Sequence, residues 1–224
     1  MSRGSRLVLH ATAAVGAEIV EWYRKEYGFE AKARAQARGC ADWDTLMEEA
    51  AASPPGSHGV MFLPHMAGSS APVVDFRSRA GFVGLSSVTS RGDILRAVIE
   101  GLDFRFLEIL LAMEKHLYQD FHRVVIVGGA VRNEFWMQNK ADVVGRPLEV
   151  SDEEEATPLG AAKLAGIGVG AYSNISDAYE AVKKPTKAYL PNEATATRHS
   201  RSFQIYRQLY DALKDVHHAI SDNI

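Results

Sequence analysis

Apolar positions recur along the chain at two spacings, and most runs end on a residue able to stop them. Val15, Ile19, Trp22 and Tyr23 fall at helical intervals, and Gly28 closes that helix. Leu7 to Leu9 before it reads as a short strand. Residues 30–42 are charged, show no clear period, and read as a loop. Asp42 to Ala52 predicts a short helix. Ser53-Pro54-Pro55-Gly56-Ser57 is the strongest breaker, taken as a loop rather than a linker between domains.

Gly59 to Leu63 predicts a buried strand and Gly81 to Leu85 a second short one. Between them, residues 64–80 carry Pro64, Gly68, Ser69, Ser70 and Pro72. A loop that long in a compact domain is often functional. Ser90 to Leu117 predicts the dominant helix, with Leu95, Val98, Leu102, Phe106, Ile109 and Met113 on one stripe. Ser90 is its expected N-cap and Asp93 the capping-box acid. Val124 to Val127 is a β-branched strand running into Gly128-Gly129, and a helix from about Asn133 to Val144 ends at Gly145. Leu148 to Val150 is a strand. Pro158 to Ala165 is a small-residue helix before a stop at Gly166, Gly168 and Gly170. Ile175 to Val182 is a short helix, and a final amphipathic helix carries Phe203, Tyr206, Tyr210, Leu213 and Val216. Alternating strands and helices predict an α/β layered domain.

Composition narrows the function classes. The 224 residues are 46% hydrophobic and 24% charged, an ordinary globular balance for one large domain or two small ones. A formal charge of -3 gives no electrostatic footprint for nucleic acid or an anionic membrane. No apolar run approaches the ~18 residues of a membrane helix, and no secretory signal opens the chain. Cys40, the sole cysteine, excludes an internal disulfide. In its Arg-rich stretch it is either a surface thiol or a reactive one. The expected location is the cytoplasm. The histidines lack metal-ligand spacing, and His217 and His218 point to different faces of the last helix, so no metal site is expected. The acidic run Asp152 to Glu155 reads as a solvated loop.

The strongest chemical signal is residues 124–136, VVIVGGAVRNEFW. A buried strand ends in two glycines and a helix begins. Glycines let a ligand approach the backbone, and the helix start offers free N–H groups and a partial positive charge. Asn133 either caps that helix or turns its amide to a ligand. A purely structural turn would look the same. The junction is neither a Walker A loop nor a dinucleotide fingerprint. Gly160 to Gly166 suggests close helix packing. Ala11 to Gly16 leads into a helix start that either faces an anion or is simply a helix start.

These pieces resemble, in order, the C-terminal domain of the FGGY carbohydrate kinases, over about residues 10–190 with a C-terminal helix at 195–224. Residues 80–100, AGFVGLSSVTSRGDILRAVIE, resemble the family's second signature. Gly128 to Asn133, with Trp136, Gln138, Ala141-Asp142 and Gly145 following, resemble its adenine-site turn. Glu155 to Ala162 (EATPLGAA) resemble its E-A-T-A-L-G-A-A helix start, with Pro158 for an alanine. The resemblance implies an actin-like, ribonuclease-H-like α/β lobe with a mixed sheet and flanking helices. It implies that Gly129, Ala130 and Asn133 contact the adenine and ribose of ATP or ADP, that Gly128 permits the turn, and that Gly16 lies near the phosphates. Asp75 matches an aspartate of the family's W-D-P stretch and would be structural or near the cleft, although Val74 and Phe76 replace its neighbours.

By the same resemblance, the catalytic aspartate, the Mg²⁺-associated aspartates and most contacts to a sugar or polyol belong to an N-terminal lobe that this chain does not carry. No catalytic residue is therefore expected here, and the chain alone is expected not to phosphorylate a sugar. The alternative is a non-catalytic actin-like nucleotide-binding or scaffold module. A core face left uncovered would favour a homo-oligomer.

Overall fold

The computed structural model describes residues 11, 16, 18–151, 153 and 155–223. The expected strand at Leu7–Leu9, Val15 of the first helix, most of the 11–16 segment, and Asp152 and Glu154 of the acidic run lie outside the described residues. Three helices come first: α1 (Glu18–Tyr27), α2 (Phe29–Arg38) and α3 (Asp42–Ala52). A hairpin-like pair follows, β1 (Met61–Leu63) and β2 (Gly81–Val83), antiparallel with Phe62 opposite Phe82. Then come α4 (Arg91–Leu117), β3 (Val124–Ile126), α5 (Glu134–Val144), β4 (Leu148–Ser151), α6 (Ala156–Gly168), α7 (Ile175–Ala181), β5 (Thr186–Tyr189) and α8 (Glu193–Ser221).

α4 is the axis of the core, packing against α1, α3, α5, α8 and β1. Ser90 starts it as expected: its Oγ accepts the Asp93 N–H at 3.1 Å, and Asp93 Oδ2 accepts the Ser90 N–H at 2.8 Å. Asp93 also accepts the Ser53 hydroxyl at 2.6 Å and meets His58 Nδ1 at 2.8 Å. The 53–58 breaker is thereby fastened to the core, and Glu100 holds it further through Gly56 N–H at 2.9 Å. Burial surrounds α4 rather than following one stripe. Arg96, Glu100, Asp103 and Arg105 are buried alongside Leu95, Val98 and Leu102, while Phe106, Ile109 and Met113 are only half-buried. Backbones come close here: a Cβ on Gly101 would stand 2.4 Å from the Phe62 carbonyl oxygen.

β3 and β4 pair in parallel, Val124 opposite Leu148, with α5 as their crossover. β5 adds antiparallel to β4, Leu148 opposite Tyr189, so the sheet is mixed in the order β3-β4-β5. α8 lays Phe203, Tyr206 and Leu209 into the core beside Phe104.

Several expectations needed correction. Residues 30–42 hold helix α2 rather than a loop. Its buried face is only Ala31 and Ala35, too small to show as an apolar period, and Arg34 and Arg38 pair with Glu49 and Glu48 of α3. Gly39 ends it with φ of 67°. The strand expected from Gly59 begins at Met61, after a short 3₁₀ turn. The strand expected to reach Leu85 stops at Val83, because Gly84 takes φ of 86°. α6 runs through Gly166 and ends at Gly168, with Gly170 at φ 78° just beyond it, so of the expected stop only Gly166 lies inside the helix; a Cβ on Gly166 would stand 2.7 Å from the Tyr172 ring. On α8, Val216 is exposed and Leu209 takes its place in the core.

Candidate functional site

The β3–α5 junction is built by backbone geometry. Gly128 sits at φ 100° and ψ 174°, a conformation costly for any residue with a Cβ, and its N–H donates to the Glu153 carbonyl at 3.0 Å. Gly129 to Arg132 form one 3₁₀ turn, closed by Val131 N–H to Gly128 O at 3.0 Å. Asn133 then caps α5, its Oδ1 accepting the Trp136 N–H at 2.8 Å. The carbonyl half of the amide is spent on the helix, and the NH₂ half is what can turn to a ligand.

This turn opens on a cleft of about 460 Å³. One wall is Gly129, Ala130, Asn133 and Trp136, with Arg132 at the rim; the other is Ala41, Trp43 and Asp44 at the start of α3. A Cβ placed on Gly129 would meet nothing within 4 Å. The expected residues Gly129, Ala130 and Asn133 are thus brought together on one surface, with Gly128 shaping the turn behind them. Walls of glycine, alanine and tryptophan suit a flat, largely apolar group held by a few polar contacts.

A second cavity of about 480 Å³ lies beside it, lined by Gly16, Phe106, Ile109, Met113 and Lys140 among others. The two linings share Ala130 and Trp136. Gly16 therefore faces a space adjoining the cleft, and its carbonyl accepts the Ile19 N–H at 3.0 Å at the start of α1.

Asp75 lines neither cavity. Its backbone pairs with Ser69, its Oδ2 accepts the Tyr210 hydroxyl at 2.9 Å and meets His218 Nε2 at 2.7 Å, and its Oδ1 accepts the Arg77 N–H at 3.0 Å. Burial works to raise this carboxyl, but the His218, Tyr210 and Arg77 hydrogen bonds outweigh it and bring it to about 2. Of its two expected roles, the contacts are those of a structural anchor between the 64–80 loop and α8. Cys40 is half-buried, its Sγ 3.7 Å from the Thr45 hydroxyl.

The far wall, Trp43 and Asp44, was not legible as a site. It comes from a helix some ninety positions upstream, and no local motif marks it. Behind the near wall lies a buried group the sequence also concealed. Asp103 is wholly buried and accepts from Trp136 Nε1 at 3.0 Å, Asn139 Nδ2 at 2.8 Å and Lys140 Nζ at 2.5 Å. Burial raises its carboxyl above the ordinary value, against the pull of Lys140 and the two neutral donors. Among the described residues no group of three or more His, Cys, Asp or Glu is placed to hold a metal ion, and no helix is long and apolar enough to cross a membrane.

A mixed sheet flanked by helices, opening a cleft at a strand–glycine–helix junction, is an α/β lobe of the actin-like, ribonuclease-H-like class. Residues 2–169 match the family model described as the FGGY family of carbohydrate kinases, C-terminal domain, and the chain belongs to that family. It is 27% identical over 216 residues to L-xylulose/3-keto-L-gulonate kinase of Escherichia coli, covering 96% of this chain and 40% of that protein. It is 37% identical over 162 residues to glycerol kinase of Symbiobacterium thermophilum, covering 72% and 30%. The crystal structure of xylulose kinase from Rhodospirillum rubrum superposes with a TM-score of 0.74 at 26% identity, covering 92% of this chain and 40% of that one. The chain thus spans about 40% or less of the length of these relatives.

Proposed function

We propose that this chain is the ATP-binding lobe of a carbohydrate kinase that moves the γ-phosphate of ATP to a hydroxyl of a sugar or polyol. The observation that carries this is the cleft over Gly129, Ala130 and Asn133, open where a Cβ would otherwise stand. In this reading the adenine lies against Gly129 and Ala130, and the Asn133 amide reaches the base or ribose. The phosphates run toward the second cavity and Gly16.

Phosphoryl transfer is mainly positioning and charge stabilisation, so a platform of this kind supplies orientation. A carboxylate base for the sugar hydroxyl and the ligands of a Mg²⁺ ion bridging the phosphates come, in this reading, from the N-terminal lobe of the family. Closure of that lobe over the platform would exclude water. The 224-residue chain alone then binds ATP or ADP weakly and turns over no sugar. Xylulose and glycerol kinases among its relatives support a small sugar or polyol as acceptor. Exposed Leu164 and Val169 on and beside α6 support self-association of the chain. A cytoplasmic setting fits a reduced Cys40 and ATP as donor.

Calorimetric titration of the chain with ATP and ADP, repeated on Gly129→Leu, tests the platform. Heat with the native chain, lost when a side chain fills the cleft, is expected. No heat with either nucleotide would overturn the platform and favour a scaffold module. Sugar phosphorylation by the chain alone would overturn the division of labour between lobes.

A further inference from the structure

Asp103 is charged, central and completely buried, and the turn and cleft residues alone do not explain it. Its three donors, Trp136, Asn139 and Lys140, stand on one face of α5 at the i, i+3 and i+4 positions. Asn139 passes the network on, its Oδ1 accepting from Arg96 Nη2 at 3.2 Å, and Arg96 binds Glu100 at 2.7 Å and the Ser53 carbonyl at 2.6 Å. The Lys140 ammonium also lies 4.9 Å from the centre of the Phe106 ring and 5.9 Å from that of Trp136.

A buried ion pair holds two helices together no better than well-packed apolar side chains of the same volume. An apolar pair would not, however, supply a directional acceptor for the indole N–H of Trp136. That direction matters because Trp136 and Ala130 are common to the walls of both cavities. Ala130 is too small to divide them, so the orientation of the Trp136 ring decides whether the cleft and the second cavity are separate compartments.

We propose that Asp103 is a positioning residue for the nucleotide site: by accepting the Trp136 indole N–H, it fixes the ring as the partition between the base cleft and the cavity bearing Gly16. This rests on the reading of the cleft as a nucleotide platform. Lys140 neutralises the carboxylate, so the partition is held without a net buried charge. A ring free to rotate would enter either compartment and compete with the bound group, so loss of the acceptor weakens nucleotide binding through a residue the ligand does not touch.

Two double variants of the full 224-residue chain separate positioning from helix packing. Asp103→Leu with Lys140→Met removes both charges and leaves the indole without an acceptor. Asp103→Asn with Lys140→Met removes both charges and keeps an amide carbonyl. Titration with ADP is expected to show Kd about tenfold higher in the first than in the second, the loss of the Lys140 cation from the second cavity being common to both. The ¹H–¹⁵N signal of the Trp136 indole, assigned with Trp136→Phe, is expected to lose its exchange protection only in the first. Unfolding midpoints are read alongside.

Equal ADP affinity in the two double variants, with the indole signal deprotected only in the Leu/Met one, would overturn the proposal and leave Asp103 a helix-packing residue. Should that variant not fold, Trp136→Phe decides: it keeps an aromatic ring and removes the N–H, and native affinity there overturns the proposal equally. Absence of ADP binding by the native chain is a different failure, that of the platform itself, and the proposal falls with it.

Discussion

The side chain of Asn133 accepts the backbone N–H of Trp136 at 2.8 Å, so one residue both starts α5 and faces the cleft. The two roles use opposite ends of the amide. Aspartate is as good an N-cap as asparagine but has no NH₂ to donate, whereas alanine is a poor cap. Asn133→Asp is therefore expected to keep the unfolding free energy within about 0.5 kcal/mol of native, and Asn133→Ala to lose about 1 kcal/mol. Both are expected to weaken ADP binding severalfold, the aspartate more because it adds a negative charge to a cleft proposed to take an anionic ligand. Urea unfolding and calorimetry check the two axes separately. ADP binding by the aspartate variant at native strength would show that the amide does not touch the ligand.

Two helical glycines are expected to respond to the same substitution with opposite sign. A Cβ on Gly101 of α4 would lie 2.4 Å from the Phe62 backbone carbonyl, so α4 and β1 must move apart. Gly101→Ala is expected to cost about 1–3 kcal/mol, the usual range for overpacking a tight core. A Cβ on Gly160 of α6 meets nothing within 4 Å. Gly160→Ala is expected to add about 0.5–1 kcal/mol of stability through helix propensity. Equal effects at the two positions in urea unfolding would contradict the packing of α4 on β1.

The Asp93 carboxylate gathers the α4 capping box, the Ser53 hydroxyl and His58. Burial raises this carboxyl, but the Ser53, Ser90 and His58 hydrogen bonds prevail and hold it well below the usual carboxylate range. Asp93→Ala leaves buried Ser53 without its acceptor as well as removing a cap interaction. A loss of about 2–4 kcal/mol is expected, larger than a surface cap, because the 53–58 loop is released too. Asp93→Asn is expected to recover part of it. A loss below about 1 kcal/mol in Asp93→Ala would mean that Glu100 and Arg96 suffice to hold the loop.

What the sequence exposed follows from how local the signal is. α4 was legible because Ser90 and Asp93 announce its start and its apolar residues are long. The β3–α5 junction was legible because only glycine tolerates the φ of Gly128, and Asn133 and Gly145 bracket the helix. α2 was hidden because its core contacts are alanines and its charges read as solvation, although Ala, Arg, Lys and Gln are good helix formers. β5 was hidden because, of Thr186, Lys187, Ala188 and Tyr189, only Tyr189 is buried. The Trp43 wall and the Asp103 network were hidden for a different reason: both depend on which helix faces α5, and that is a tertiary fact.

Of the three buried histidines, His65 and His199 are pushed down furthest and dominate the acid response, with His217 also lowered by burial. His65 donates or accepts only through Nδ1, 2.7 Å from the Ser78 hydroxyl, and neither ring nitrogen of His199 has a partner among the described residues. Burial, with the nearby Arg105 and His217, pushes His65 down to about 3; burial, with Arg96 and Arg198, pushes His199 down to about 4. The unfolded chain takes up these protons near pH 6.5 while the folded one refuses them. More protons on the unfolded state means stability rises with pH, so the contribution is complete above about 6.5 and is lost as pH falls toward 4. Each histidine is expected to add a slope of at most about 1.4 kcal/mol per pH unit in that window. Asp75, also depressed, adds a further loss between about 4 and 2, overlapping the lower end of the His65 window. His199→Phe removes one of the two protons and suits a site walled by Phe104 at 6.0 Å. Urea unfolding at several values between pH 7.5 and 4.5 should show a shallower slope in that variant, by about one proton. An unchanged slope would mean that His199 is protonated in the folded chain and that a partner for its ring opens as the pH falls.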